Sequence, residues 1–425
     1  MRERPFRRYW IGQTISSVGD EISSLALPLV AVVGLGATAA EMGYLTAAGL
    51  LPSLLFSLYA GAWVDRQTRR RRLMILTDLG RALLVVSIPV AYALHALTTG
   101  HLYVVAFLVG TLATVFTLAN STLFPVLVRP SQYVAANSLV NGSRAGAYVV
   151  GPSLAGGLVH LLSAPFALVA DAVSYLVSAL FLGRIAPTEP RPEAPGRGLV
   201  LAGLTFLARS SIVRTTLLAT ATLNFFNFMF AALFILYVTT SLHISAGLLG
   251  AVVGVGALGA LLGSFLTGRI VRWIGIDPTY AVGLIVFPAP LMLIPLAGGP
   301  LPLVLGLLFV AEFAAGFGVM LLDIAVGSIH AAVIPYRMRA RVAGAFRTVN
   351  YGIRPLGALA GGGLGTAIGL RPTLWIATAG ALLGILWLLP SPLLRLRDLP
   401  APEGVEADTD AAADTDVAPQ TGASR

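Results

Sequence analysis

Apolar stretches of roughly twenty residues recur from Trp10 to Pro390, separated by short polar or arginine-bearing segments. About twenty consecutive apolar residues suffice for a helix to cross a bilayer. The pattern predicts twelve such helices, at 10–34, 41–63, 73–94, 101–125, 137–162, 165–184, 212–239, 246–268, 278–296, 301–325, 341–368 and 373–390. Only a tight turn near 163–165 parts the fifth from the sixth. A Pro-rich stretch at 185–200 splits the twelve into two blocks of six. The expected organisation is a bundle over 1–184, a linker over 185–211 with an amphipathic helix from 199, a second bundle over 212–390 and a tail over 391–425. The tail is rich in Ala, Pro and acids, lacks a core-forming pattern and reads as disordered.

Composition supports an all-α membrane protein. Apolar residues make up 56% of the chain and charged residues 11%, where a soluble domain carries about 25%. All 28 basic residues are arginine, and the net charge is +9. Those arginines cluster between apolar segments as topology signals do, which argues against a nucleic-acid partner. Without lysine there is no Walker A motif and hence no ATP-driven pump of the usual kind. Without cysteine there is no disulfide framework or thiolate chemistry. His95, His101, His160, His243 and His330 are too scattered for a zinc site. The chain also lacks HExxH and a Ser–Lys dyad, and its acids are dispersed, so neither an enzyme nor a cofactor is expected. The first apolar run is long, holds acids and shows no clear small-residue cleavage site, so a cleaved signal peptide is not expected.

Arginines at the N-terminus, in the 66–72 loop, at 129, around the linker, at 269 and 272, at 337–341 and at 395–397 all fall on one side of the predicted topology. The other side has Arg371 alone. The positive-inside rule puts that rich side, and both termini, in the cytoplasm.

The blocks echo one another at an offset of about 202 residues. Gly61-Ala-Trp-Val-Asp65-Arg66 parallels Gly263-Ser-Phe-Leu-Thr267-Gly268-Arg269, Arg144 parallels Arg347, and Gly151-Pro152 parallels Arg354-Pro355. Six is even, so the blocks start from the same side and form parallel repeats, with a path between them as the expected substrate route.

Two motifs suggest moving parts. Gly61, Asp65, Arg66, Arg69 and Arg70 stand at the second helix's end, where a small residue permits close approach and an acid among arginines can latch one block to the other. The alternative is a helix stop followed by topogenic charge. In the fifth helix, Gly151, Pro152 and Gly156 combine small residues with a helix-bending proline, suited to tight packing or closure.

Ionisable groups inside spans must be protonated, paired or in a wet cavity. Asp20 and Glu21 lie mid-way along the first helix, about 100° apart around it, and so face different partners. Asp171 and Glu312 are further proton-coupling candidates, with structural pairing as the competing role. Arg144 either snorkels or pairs with Asp78 or Asp20. Asp78 with Arg81 (an i,i+3 pair), Asp323 and Arg347 are gating candidates. Asn224, Phe225, Asn227 and Phe228 form an amide-bearing aromatic run suited to lining a cavity for a bulky amphiphile. Gly254-Val-Gly256-Ala-Leu-Gly259 matches GxGxxG but lies inside a span and reads as helix packing.

Together these motifs resemble the major facilitator superfamily over about residues 8–392. The Gly61–Arg70 loop resembles the family's signature after the second helix, with Thr68 for the usual Gly. Gly151-Pro152-x-x-Ala155-Gly156 resembles its antiporter motif, with Ala147 and Ala155 for Gly. Gln13–Asp20, Leu25–Pro28 and Ala119–Pro125 resemble the branch of bacterial macrolide-efflux and siderophore-export permeases. The resemblance implies two six-helix bundles in a bacterial cell membrane, exporting a small amphipathic molecule against protons by alternating access, as a monomer among membrane lipids. The competing readings are an uptake permease, a lipid translocator, and a receptor or scaffold that moves nothing.

Overall fold

The computed structural model describes residues 4–186, 205–335 and 338–390. Among these there is no strand, and the chain is a succession of long helices. They are α1 (Arg4–Leu29), α2 (Ala39–Asp65), α3 (Arg70–Ala93), α4 (Thr99–Leu123), α5 (Tyr133–Leu162) and α6 (Ala164–Gly183), then α7 (Ser211–Thr240), α8 (Ala246–Ile274), α9 (Ile276–Val286), α10 (Leu301–Val333), α11 (Arg339–Ile368) and α12 (Leu370–Leu382). Short 3-10 or helical turns carry α9 on to Leu296 and α12 on to Leu388. Eleven of these segments are long and apolar enough to cross a membrane. The twelfth, α11, is 30 residues long but carries Arg339, Arg341, Arg347 and Arg354.

Local chemistry sets the helix ends. Thr38 begins α2 in a capping box, accepting from the Glu41 amide while its own amide donates to Glu41 Oε2 at 2.7 Å. Thr98, Ser210 and Ser245 cap α4, α7 and α8 in the same N-cap manner. Pro28 frees backbone groups near the end of α1, which widens into a π turn over Val30–Gly34. Single residues at φ +78° (Ser163) and +91° (Gly369) turn α5 into α6 and α11 into α12. Glycine takes that conformation freely, whereas Ser163 is strained in it.

The halves repeat their packing. In the first, α1 packs on α5 and α6, α2 on α4, and α3 on α4; in the second, α7 packs on α11 and α12, α8 on α10, and α9 on α10. Two symmetry-related seams, α2 with α11 and α5 with α8, join the halves, helped by α2 and α1 against α7. The fold is two parallel six-helix repeats. The face where α1 begins is called here the arginine-rich face, and the other the opposite face.

Of the sequence-derived boundaries, the largest revisions are at α1, which starts at Arg4, α8, which runs on to Ile274, and α10, which runs on to Val333. The expected amphipathic helix is described only at 205–209, which is helical; the rest of the linker, and the tail, lie outside the described residues.

Candidate functional site

A buried polar network joins α1, α3 and α6 in the first half. Gly19 of α1 lets α6 come close: a side chain there would run into Ser174 and Asp171. On the next residue, Asp20 Oδ1 accepts the Tyr175 hydroxyl at 2.6 Å and lies 3.7 Å from Arg81 Nη1. Arg81 Nη2 also donates to Asp78 Oδ1, while its guanidinium stacks over the rings of Tyr175 and Phe116, at 4.3 and 4.5 Å from their centres. Asp171 accepts from Ser23 and Ser174. Asp78, Arg81, Asp171 and Tyr175 are buried, yet the Asp20 side chain remains 49% exposed.

That exposure is to a cavity. A space of about 440 Å³ lies among α1, α2, α3, α4 and α6, closed on one side by Phe228 of α7. Asp20, Ser23, Ser24, Asp171 and Tyr175 supply its polar wall, and Leu, Val and Ile side chains supply the rest. Apolar walls with a few convergent polar groups are what a small-molecule site requires. A second space, of about 500 Å³, adjoins it at Gly49 and Gly110 and extends toward the arginine-rich face. Ser53, Thr114, Thr117, Thr348, Tyr351 and Arg347 line it, between α2 and α4 on one side and α11 on the other.

The second half presents a cation held by neutral groups. Arg354 Nε donates to Asn224 Oδ1 at 3.1 Å, and Asn224 Nδ2 donates to Asn350 Oδ1 at 3.2 Å. The guanidinium lies 4.3 Å from the Tyr351 ring centre and 5.0 Å from that of Phe228.

At the opposite face the halves touch backbone to backbone. A Cβ on Gly43 of α2 would lie 2.8 Å from both Gly362 Cα and the Ala358 carbonyl oxygen of α11. A Cβ on Gly156 of α5 would lie 2.7 Å from the Ala246 carbonyl oxygen and 3.0 Å from Gly250 Cα of α8. Only glycine permits such approach. The seams are therefore shut at the opposite face, while the larger space lies toward the arginine-rich one.

Each sequence-derived candidate now has a position. Gly151 packs against Glu21 of α1, Pro152 and Gly156 against Gly250 of α8. Asp20 and Glu21 do face different elements. Glu312 lies between α10 and α8, with Oε2 3.1 Å from where a Cβ on Gly256 would be. Gly259 packs against α10 as well, and Gly254 against α5. Asp323 is exposed and makes no ion pair among the described residues. No group of three or more potential ligands there could hold a metal ion.

Of the two alternatives for Arg144, an ion pair with Asp78 or Asp20 is not formed, since Arg81, one turn from Asp78 on the same helix, takes both; Arg144 is exposed, which leaves snorkelling. Two expectations need correction. Gly61 is not a close-approach position, since a Cβ there would meet open space among the described residues. The Asn224–Phe228 run is divided by helix geometry. Phe228 lines the large cavity, Asn224 bonds α11, the Phe225 carbonyl abuts Gly357, and Asn227 faces a crevice with α9 and α12. In the 66–70 loop, Arg66 ends α2 and is exposed, Arg69 precedes α3 and is exposed, and Arg70 is buried. The Asp65 side chain lies outside the described residues.

Tyr175, Ser23, Asn350 and Arg354 escaped the sequence reading. Tyr175 stands four residues after Asp171, on the same face of α6, and that spacing was the available signal. Arg354 stands where the repeat puts Gly151, a substitution that marks a charge placed inside a span.

A sequence profile of the Major Facilitator Superfamily matches residues 9–358 and 216–414. The multidrug efflux pump Tap of Mycolicibacterium fortuitum is 28% identical over 403 residues, 90% of this chain and 94% of Tap. The uncharacterized MFS-type transporter YfiS of Bacillus subtilis is 26% identical, over 84% of this chain and 86% of YfiS. Among solved structures, a bacterial homologue of the iron transporter ferroportin in an inward-facing state superposes with a TM-score of 0.74 at 15% identity, covering 92% of this chain and 99% of that one. A bacterial homologue of the lysosomal transporter Spinster, also inward-facing, gives 0.68 at 15% identity, covering 94% and 100%. With the profile spanning nearly all of its helices, the chain belongs to the major facilitator superfamily and is a membrane transporter.

Proposed function

We propose that this transporter is a proton-coupled exporter of amphipathic small molecules, working by alternating access in a bacterial cell membrane with the arginine-rich face in the cytoplasm. The observation that carries the reading is Asp20, a carboxylate half exposed to a cavity deep in the bundle and tied on one oxygen to Tyr175 and Arg81. A charge there is tolerated because it is paired and wet. Protonation removes the charge, leaves Arg81 to Asp78 alone and changes what the cavity attracts. The glycine seams at the opposite face give the second half of the cycle. They part when the halves rock, and the cavity then opens outward. Similarity to a multidrug efflux pump supports the substrate class, and the arginine distribution supports the orientation.

The test is transport in proteoliposomes with an imposed pH gradient and a panel of fluorescent amphiphiles. Wild type should move substrate toward the side from which protons enter. Asp20→Asn should insert and still bind amphiphiles that carry no cation, but its flux should no longer follow the gradient. Gradient-driven flux of normal size in Asp20→Asn would remove Asp20 from the proton path. Flux in the proton direction would reverse the reading to uptake. Specific binding without flux would favour a receptor.

A further inference from the structure

The two adjoining spaces carry opposite charge. In the deeper one, Asp20 Oδ1 is engaged by Tyr175 and Arg81, but Oδ2 accepts no hydrogen bond among the described residues and the side chain is open to the cavity. Among the described residues the one other carboxylate lining that wall is Asp171, already held by two serines. In the space nearer the arginine-rich face the one charged lining group among the described residues is Arg347, exposed and without a hydrogen bond or ion pair among them. Around it stand hydroxyls: Ser53, Thr114, Thr117, Thr348 and Tyr351. Ser53 pairs with Thr114, and Thr114, Thr117 and Thr348 donate to carbonyls of their own helices, so the donors suited to an anion are the Arg347 guanidinium and the Tyr351 hydroxyl. A carboxylate oxygen beside aliphatic and aromatic walls is suited to an ammonium group with an apolar body.

The spaces adjoin one another. Both are lined by Gly49 of α2 and Gly110 of α4, where a Cβ on Gly110 would stand 2.6 Å from the Gly49 carbonyl oxygen. A larger residue at either position would crowd the junction or push the helices apart. Along α4 the combined lining runs from Val105 to Leu118, about 20 Å at the helical rise, which puts the two centres roughly 10 Å apart.

We infer that the two spaces form one bipartite site for a zwitterionic amphiphile, its ammonium at Asp20, its apolar body across Gly49 and Gly110, and its carboxylate or other anion at Arg347. The inference rests on the export reading and narrows its substrate class. It explains why an acidic apolar chamber adjoins one lined by hydroxyls and a cation. A purely cationic amphiphile would have to pass Arg347 to reach Asp20. A zwitterion passes it with its own anion paired.

Equilibrium binding to the purified full-length chain in detergent tests this without needing proton-driven flux. The probes are a rigid aryl amino acid with its charges about 10 Å apart, its methyl ester and its N-acetyl derivative. Wild type should bind the zwitterion most tightly. Arg347→Gln should weaken the zwitterion and the N-acetyl acid roughly tenfold, the low end for one charge-assisted hydrogen bond, and leave the ester unchanged. Asp20→Asn should weaken the zwitterion and the ester and leave the N-acetyl acid unchanged. Arg347→Lys should restore part of the loss, which a merely structural arginine would not. Equal loss for all three probes in Arg347→Gln, no loss in Arg347→Gln, or no binding of the zwitterion to wild type would overturn the inference. The gradient-driven flux of other amphiphiles would still decide the export reading separately.

Discussion

Replacing Arg81 by methionine isolates what holds the first-half network together. Asp78 is fully buried; its Oδ1 takes Arg81 Nη2, and its Oδ2 meets no donor in good hydrogen-bond geometry among the described residues. Without the guanidinium, the carboxylate loses its counter-charge and a principal donor. Removing one partner of a buried pair costs about 3–5 kcal/mol. Asp20 contributes far less, because it is 49% exposed and 3.7 Å away, and a pair that open is worth at most about 1 kcal/mol. The two cation–π contacts add about 0.5–2 kcal/mol each, partly offset by the methionine stem against the same rings. Arg81→Met should therefore lower stability by several kcal/mol, with Asp78 the main cause. The assay is the fraction of monodisperse protein left after heating in detergent, measured by size exclusion. Arg81→Met should fail well below the wild-type temperature. Adding Asp78→Asn should recover most of the loss, and adding Asp20→Asn instead should recover little. Rescue by Asp20→Asn as large as that by Asp78→Asn would refute the assignment of the pair, as would a single variant that withstands heat like wild type.

Two other tests use the absence of native cysteine. Gly250→Leu would press its side chain against Pro152 and Gly156, and overpacking of this kind costs about 1–3 kcal/mol; it should force the α5–α8 seam apart and raise labelling of Thr46→Cys, which lines the cavity, by an impermeant maleimide applied from the opposite face. Unchanged labelling would mean that this seam is not the barrier. In the proposed orientation, Thr68→Cys in the exposed loop after α2 should react only when reagent reaches the cytoplasmic side, and reaction in intact cells would invert the topology.

The bundle was legible because lipid imposes one rule on every span. Each must satisfy its own backbone hydrogen bonds as a helix and show an apolar surface, so hydropathy and length reveal it. The twelfth span shows where that rule thins, since four arginines lower the hydropathy of α11 although it is as long as its neighbours. The tight turn at Ser163 was legible from the following proline, and the close packing at Gly156 from its small neighbours. The site was legible only in its types of residue. Asp20 stood out as a carboxylate in mid-span, but its partners come from α3 and α6, and choosing Arg81 over Arg144 depends on the rotation of three helices about their axes. Tyr175 looked like one more aromatic in an apolar span. Asn224, Phe225, Asn227 and Phe228 were read as one surface, yet a helix sends neighbours about 100° apart, so the four could not share a wall.

The halves repeat their packing but not their charges, and this difference bears on the mechanism. In the first half, a single guanidinium is divided between two carboxylates, one buried and one open to the cavity. In the proposed cycle a proton arriving at Asp20 would leave that guanidinium to Asp78 alone. In the second half, Arg354 is held by an amide and two aromatic faces, and a proton has no carboxylate there to neutralise in contact with it. Phe228 touches both arrangements: it covers the guanidinium of Arg354 and closes the cavity that Asp20 enters. The ring that Arg354 holds thus lines the same cavity that Asp20 enters. This lets one half act as the variable element and the other as the reference against which it moves.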